Sequence, residues 1–248
     1  MLFSPVHQRE WVLPYYLRNI YDLNYDKKLI HILWVINNTT DNSMAILEKF
    51  RQVYGSEYGS ISIQIWENPK VGKDERTTEQ RGSKGYEWLA ELRNRGVYEC
   101  LKGGYDYLFS VDSDVLLPPE VLNNLISKQK KYVSALLYNG YEHSPDKPEK
   151  YPNVLRTFDD GRTYLHTLNN YTKNKKGIIR CDFTGAVFIC EKSALPYLKF
   201  ANDPLGEDLP ACRSLQKNGI DPYCSCDDYC QHIMGRKFLE QFKNFPNY

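Results

Sequence analysis

The chain has 248 residues, 42% of them apolar, 25% charged and 14% aromatic, with 32 basic against 31 acidic side chains. That length holds one large domain or two small ones around a full core, which excludes a disordered chain. The near-zero net charge excludes a global electrostatic pull toward nucleic acid or an anionic membrane, so any bound anion must be held by a local site.

The spacing of apolar residues predicts a short buried strand over 2–5 and a helix over 10–23 with the stripe Val12, Leu13, Tyr16, Leu17 and Ile20. A strand over 29–36 (LIHILWVI) is apolar on both faces and needs helices above and below. The polar loop Asn37 to Ser43 supplies caps for a helix over 44–54, and Ile61 to Trp66 is a third strand. This β-α-β-α-β order implies a largely parallel sheet. Residues 67–84 are polar, without periodicity, and carry Arg76, Arg81 and Lys84. They read as a surface loop or as a lid that excludes water from a bound ligand. A helix over 86–101 ends at Gly103-Gly104, and Tyr107 to Val111 is a fourth strand running straight into Asp112-Ser113-Asp114. Pro118-Pro119 then opens a helix over 120–130, the position that proline prefers. Strands over 132–137 and 186–190 flank a polar excursion from 138 to 180. A helix over 208–218, a short strand near 222–225 and an aromatic stripe from Phe238 to Phe245 complete the chain. With no repeat and no low-complexity linker, the pattern is one α/β domain with two long insertions. No window reaches the roughly 18 apolar residues of a membrane span, and MLFSPVHQREWV has no signal-peptide pattern, so a soluble, cytoplasmic protein is expected.

Asp112-Ser113-Asp114 is the sharpest chemical signal. In extended backbone residues two apart share a face, and ligands of open α/β sheets sit at the carboxyl ends of strands. Two convergent carboxylates repel, and a hard divalent cation such as Mg²⁺ or Mn²⁺ relieves that repulsion. The alternative is an Asp-x-Asp loop or helix cap.

At these residues the chain resembles the GT-A glycosyltransferases, in particular the large family 2 type. Ser4 to Glu10 is similar to the first strand and nucleobase loop, Asn37 to Asp41 to the acidic loop with its following Ser-Thr-Asp, and Leu92-Arg93-Asn94 to the Ala-Arg-Asn stretch before the metal motif. Phe183-Thr184-Gly185-Ala186 is similar to the Gly-Gly-Ala segment on the acceptor side, and Gly206-Glu207-Asp208 to the Glu-Asp motif carrying the base. The resemblance implies an open, mostly parallel twisted sheet flanked by helices. It divides the chain into a nucleotide-sugar half, 1–117, ending in the Asp-x-Asp motif, and an acceptor half, 118–248. It implies transfer of a sugar from a UDP-sugar to a hydroxyl of a glycan, lipid-linked or protein acceptor. Mn²⁺ or Mg²⁺ would be held by Asp112, Asp114 and His232, and the donor by Pro5, His7, Arg9, Asn37, Asp41, Arg93, Asp112, Ser113 and Gly185. Asp208 would be the general base of an inverting reaction, with Glu207 orienting it. Arg93 or a residue of the 76–84 loop would help stabilise the leaving diphosphate. Asn37 and Asn38 stand where many relatives carry carboxylates, which widens the choice of base. For Glu207-Asp208 the alternative is a pair of first-turn helix acids favoured by the helix dipole.

Rival readings are a retaining transferase, a sugar-1-phosphate nucleotidyltransferase, and a non-catalytic glycan-binding or zinc-stabilised module. The first-strand loop His7-Gln8-Arg9-Glu10 is not the Gly-rich loop of a nucleotidyltransferase. The zinc reading rests on Cys224, Cys226, Cys230 and His232, four ligand types in nine residues, but structural zinc sites usually join two separated pairs. Seven cysteines, an odd number, suit buried reduced thiols.

Overall fold

The computed structural model describes residues 1–70, 82–141, 149–157, 163–164, 176–236 and 238–239. Four strands form its parallel part: Leu2–Val6 (β1), His31–Asn37 (β2), Ser60–Trp66 (β3) and Tyr107–Val111 (β4), side by side in the order β4-β1-β2-β3. The sheet continues through Val115–Leu116 (β5), Tyr132–Tyr141 (β6), Glu149–Pro152 (β7), Ile178–Arg180 (β10), Val187–Glu191 (β12) and Tyr223–His232 (β13). Val154–Thr157 (β8), Thr163–Tyr164 (β9) and Phe183–Thr184 (β11) make a separate small sheet. β12 runs antiparallel between β4 and β6, and β13 runs parallel to β6. Apart from β5, which pairs with β13, the main-sheet strands from residues 1–117 lie on one side of the β4/β12 seam and those from 118–248 on the other.

The helices are Leu13–Tyr21 (α1), Ser43–Tyr54 (α2), Gly82–Lys102 (α3), Val121–Ser127 (α4) and Asp208–Lys217 (α5). They cover both faces of the main sheet, and β2 shows why its sequence is apolar throughout. Ile32, Trp34 and Ile36 pack with residues of α1, α2 and α4, whereas Leu33 and Val35 pack with residues of α3 and α5. The two-residue period of the strand thus divides its side chains between two cores. β3, at the edge, alternates exposed and half-buried residues instead.

Several boundaries differ from those expected. α1 starts at Leu13 rather than Glu10, because Arg9 to Val12 form a turn and Pro14 takes the first helical turn. A short 3₁₀ helix over Lys27–Leu29, capped by the Asp26 carboxylate, delays the second strand to His31. α4 begins at Val121, after both prolines, and ends before Gln129, whose φ of 52° is left-handed. The excursion after 138 carries strands, since β6 runs on to Tyr141 and pairs there with β7. The last strand runs past Ser225 to His232, with an irregularity between Ser225 and Tyr229. There Asp228, 2% exposed, accepts hydrogen bonds from Ser225 (2.7 Å) and Asn124 (2.7 Å). Residues 71–81 of the polar 67–84 stretch, read as a surface loop or a lid, and most of the aromatic tail lie outside the described residues. No described helix is long and apolar enough to cross a membrane.

Candidate active site

The carboxyl ends of β1, β2 and β4 open into a cleft lined by Pro5, His7, Arg9, Asn37, Asp112, Ser113 and Asp114. Facing these residues are Gly85, Trp88, Leu89 and Leu92, which share one face of α3 because they recur at helical spacing. Apart from Leu92, part of the Leu92-Arg93-Asn94 stretch, sequence reasoning did not single them out: spacing shows that they share a face but not that the face borders a cleft. The indole Nε1 of Trp88 is buried without a hydrogen-bond partner among the described residues, a donor that a ligand oxygen would satisfy.

The twin aspartates leave β4 in a turn in which the Val115 amide donates to the Asp112 carbonyl, 3.0 Å. The hydroxyl of Ser113 donates to the carbonyl of Pro5 at 2.9 Å, tying this turn to the end of β1. His232 arrives from far along the chain because β13 pairs antiparallel with β5, placing His232 opposite Val115. The Ile233 amide donates to the Asp114 carbonyl (2.8 Å), and His232 Nε2 lies 3.4 Å from Asp114 Oδ1. Asn37 donates to the Val6 carbonyl (2.9 Å), and Asn38 pairs both ways with the backbone of Asn68. Asp41 stands back from the cleft: its carboxylate accepts from the amides of Glu10 (2.9 Å) and Ser43 (3.0 Å), joining two loops.

Each aspartate of the turn has its own arginine. Arg9 donates from Nη2 (2.8 Å) and Nε (3.1 Å) to Oδ2 of Asp114, while its Nη1 is held by the His7 carbonyl at 2.9 Å. Arg93, only 2% exposed, donates to Asp112 (2.9 Å), to Glu207 (2.7 Å) and to Ser110 (3.3 Å), with Asp208 at 3.8 Å. The expected diphosphate role for Arg93 does not match this placement. Its guanidinium lies behind the carboxylates and clamps α3, β4 and the start of α5 together.

Glu207 and Asp208 are brought to the same place. Glu207 occupies the N-cap of α5 without a side-chain cap bond and Asp208 stands in the first turn, so both acids sit at the helix N-terminus as the alternative reading has them, while the Glu207 carboxylate turns to Arg93. Burial pushes the Asp208 carboxyl up to about 8, against the pull of Arg93, and neighbouring Glu207 and Asp112 push the same way. One guanidinium cannot neutralise three carboxylates, and Asp208, whose Oδ1 is buried without a hydrogen-bond partner, keeps its proton well above the usual carboxylate range. Burial also raises Asp112, with Arg93 lowering it and Asp114 raising it. Gly185 is needed for its small size, because a Cβ at that position would collide with the carboxylate of Asp208. Its carbonyl is held in turn by Asn153 (2.8 Å), a buried side chain that also bonds Ala135 and Leu137 and that no sequence motif marks.

Among the described residues no three His, Cys, Asp or Glu side chains are gathered closely enough to hold a metal ion. For the zinc reading this is a correction: Cys224 and Cys230 are buried in the apolar core, and none of the seven cysteines is in a disulfide. For a hard dication the donors fit in kind, since Asp112 and Asp114 line the cleft and the His232 imidazole lies beside Asp114, but Arg9 and Arg93 hold the two carboxylates.

The fold defined by this sheet and cleft is the GT-A glycosyltransferase fold. GalNAc-T7, crystallised with UDP, GalNAc and Mn²⁺, superposes with a TM-score of 0.59 at 14% identity, over 93% of this chain and 43% of its own. A mannosyltransferase from Pyrobaculum calidifontis, in complex with GDP-Man and Mn²⁺, gives 0.57 at 13% identity, over 93% and 55%. More narrowly, the chain belongs to glycosyltransferase family 25, whose N-terminal domain matches residues 4–144; the GT-A assignment stands, with family 25 in place of the family 2 comparison. Procollagen galactosyltransferase 1-A of Xenopus laevis is 30% identical over 129 residues, 52% of this chain and 21% of that protein. Inactive glycosyltransferase 25 family member 3 of Mus musculus is 24% identical over 129 residues, 52% of this chain and 22% of its own. The matched stretch is thus about a fifth of these relatives' length.

Proposed function

We propose that this domain transfers a sugar from a nucleoside-diphosphate donor, UDP-linked, to a hydroxyl of a glycan, lipid-linked or protein acceptor. The observation that carries the reading is the joining of two carboxylate sets through one buried arginine: Asp112 on the cleft wall and Glu207-Asp208 behind it both bond or flank Arg93. Asp112, Asp114 and His232 would hold Mn²⁺ or Mg²⁺, whose charge would stabilise the departing diphosphate. Pro5, His7 and Asn37 would form the wall for the base, and the Trp88 N–H would meet a donor oxygen. Asp208 would accept the proton of the attacking hydroxyl, at a carboxyl poised near neutral pH as general-base catalysis requires. In-line attack opposite the leaving diphosphate would invert the anomeric centre. Galactose is the first sugar to test, because a relative is named a galactosyltransferase. Seven cysteines outside any disulfide support a reducing, cytoplasmic setting.

The test is a thermal-shift titration with UDP, GDP and ADP, each with and without Mn²⁺, followed by turnover of UDP-galactose against hydroxyl acceptors. A metal-dependent shift with UDP and release of UDP support the reading; a chain that no nucleotide stabilises sinks it. The relatives named inactive favour one second reading, a binding domain without transfer. UDP binding without turnover of any sugar nucleotide would point there.

A further inference from the structure

The geometry points to Arg9 as a cation that competes with a dication for Asp114 and, once displaced, takes hold of the donor's diphosphate. This rests on the metal reading above. Nη2 and Nε of Arg9 converge on one oxygen of Asp114, a side chain only 7% exposed, while His232 flanks the other oxygen at 3.4 Å. A dication bound by Asp114 and His232 would set two positive centres on one carboxylate, and their repulsion in a partly buried site favours one occupant.

The two arginines of the site differ in their freedom to move. Arg93 is fixed at 2% exposure between Asp112, Glu207 and Ser110, on a helix packed into the core. Arg9 is 16% exposed, lines the cleft and is tethered from Nη1 to the carbonyls of His7 (2.9 Å) and Gln8 (3.4 Å). Those tethers belong to the loop that forms the donor wall, so a guanidinium leaving Asp114 stays in the cleft. A planar fork with paired N–H groups matches phosphate oxygens as well as it matches a carboxylate. Metal entry would therefore deliver a phosphate ligand, and metal and nucleotide would bind with positive coupling.

The experiment is calorimetric titration of wild type, Arg9→Met, Arg9→Lys and Asp114→Asn, first with Mn²⁺ alone and then with UDP at saturating Mn²⁺. In Arg9→Met, Mn²⁺ alone should bind about tenfold tighter, as expected if the ion pair is populated about nine-tenths of the time. UDP should bind about tenfold more weakly, having lost a charge-assisted hydrogen bond. Arg9→Lys, which keeps the charge without the fork, should leave Mn²⁺ affinity near that of wild type and weaken UDP. Should Arg9→Met not fold, Arg9→Gln makes the same comparison. An Arg9 that only braced the loop would, when removed, lower both affinities, and that result overturns the inference, as does an unchanged Mn²⁺ affinity in Arg9→Met. If Asp114→Asn abolishes Mn²⁺ binding while Arg9→Met leaves it unchanged, the metal reading stands and the inference alone falls. If Asp114→Asn binds Mn²⁺ as wild type does, both fall.

Discussion

Asp208 concentrates the chemistry of single residues in this site. Its carboxyl is raised from its ordinary value near ~4 to about 8, first by burial, so the folded chain holds a proton that the unfolded chain has released. Its contribution to stability is therefore fully present below about pH 4 and is lost as pH rises through about 8. Asp208→Asn, neutral at every pH, should gain melting temperature relative to wild type across that window, as pH-resolved calorimetry would show; a constant difference counts against a raised carboxyl. The same variant should keep nucleotide binding and lose transfer, and wild-type turnover should climb with pH toward about 8. Gly185→Ala drives a methyl group into the Asp208 carboxylate. Overpacking of this kind costs ~1–3 kcal/mol, readable by denaturant unfolding, and turnover should drop further than stability because the base is displaced. The contact between these two residues was not visible in the sequence: Gly-Ala and Glu-Asp are common dipeptides, and only the packing of α5 beside β11 brings them together.

At the scale of elements, α3 acts as the spine of the cleft. Gly85, Trp88, Leu89 and Leu92 face the ligand space, Arg93 reaches under the aspartates, and Gly96 lets the helix approach Phe3, whose ring atoms would lie 2.8 Å from an added Cβ. Removing the charge in Arg93→Met leaves Asp112 and Glu207 without their shared cation. Breaking a buried pair in this way typically costs ~3–5 kcal/mol, so the variant should unfold at markedly lower denaturant, and an unaltered midpoint would show that the clamp is not structural. The helix itself was legible from its periodicity, and Arg93 was singled out, though for the diphosphate instead of the clamp. That difference is positional: an arginine on an amphipathic helix looks the same whether it points at a ligand or at buried carboxylates. β13 is the other case. Its first residues read as a short strand, but its length and the arrival of His232 beside Asp114 depend on pairing with β6 and β5, partners about a hundred residues away.

For the whole molecule, stability should be linked to ligand. A nucleotide and dication that bind only the folded chain add about 2.7 kcal/mol at a hundredfold excess over Kd, so UDP with Mn²⁺ should raise the melting temperature by several degrees and EDTA should remove that gain. A shift that survives EDTA would assign nucleotide binding to Arg9 and the cleft wall without metal. The order of the apolar strands, the helices between them and the placement of Asp112-Ser113-Asp114 directly after β4 were set by local pattern, since burial on both faces and strand-end position are written in consecutive residues. Tertiary structure alone decided which charges neutralise which: Arg9 with Asp114, Arg93 with Asp112 and Glu207, Asp208 left with its proton. Two of those pairings, Arg9 with Asp114 and Arg93 with Glu207, join residues more than a hundred positions apart, and the strength of all of them depends on burial and distance, which a linear sequence does not encode.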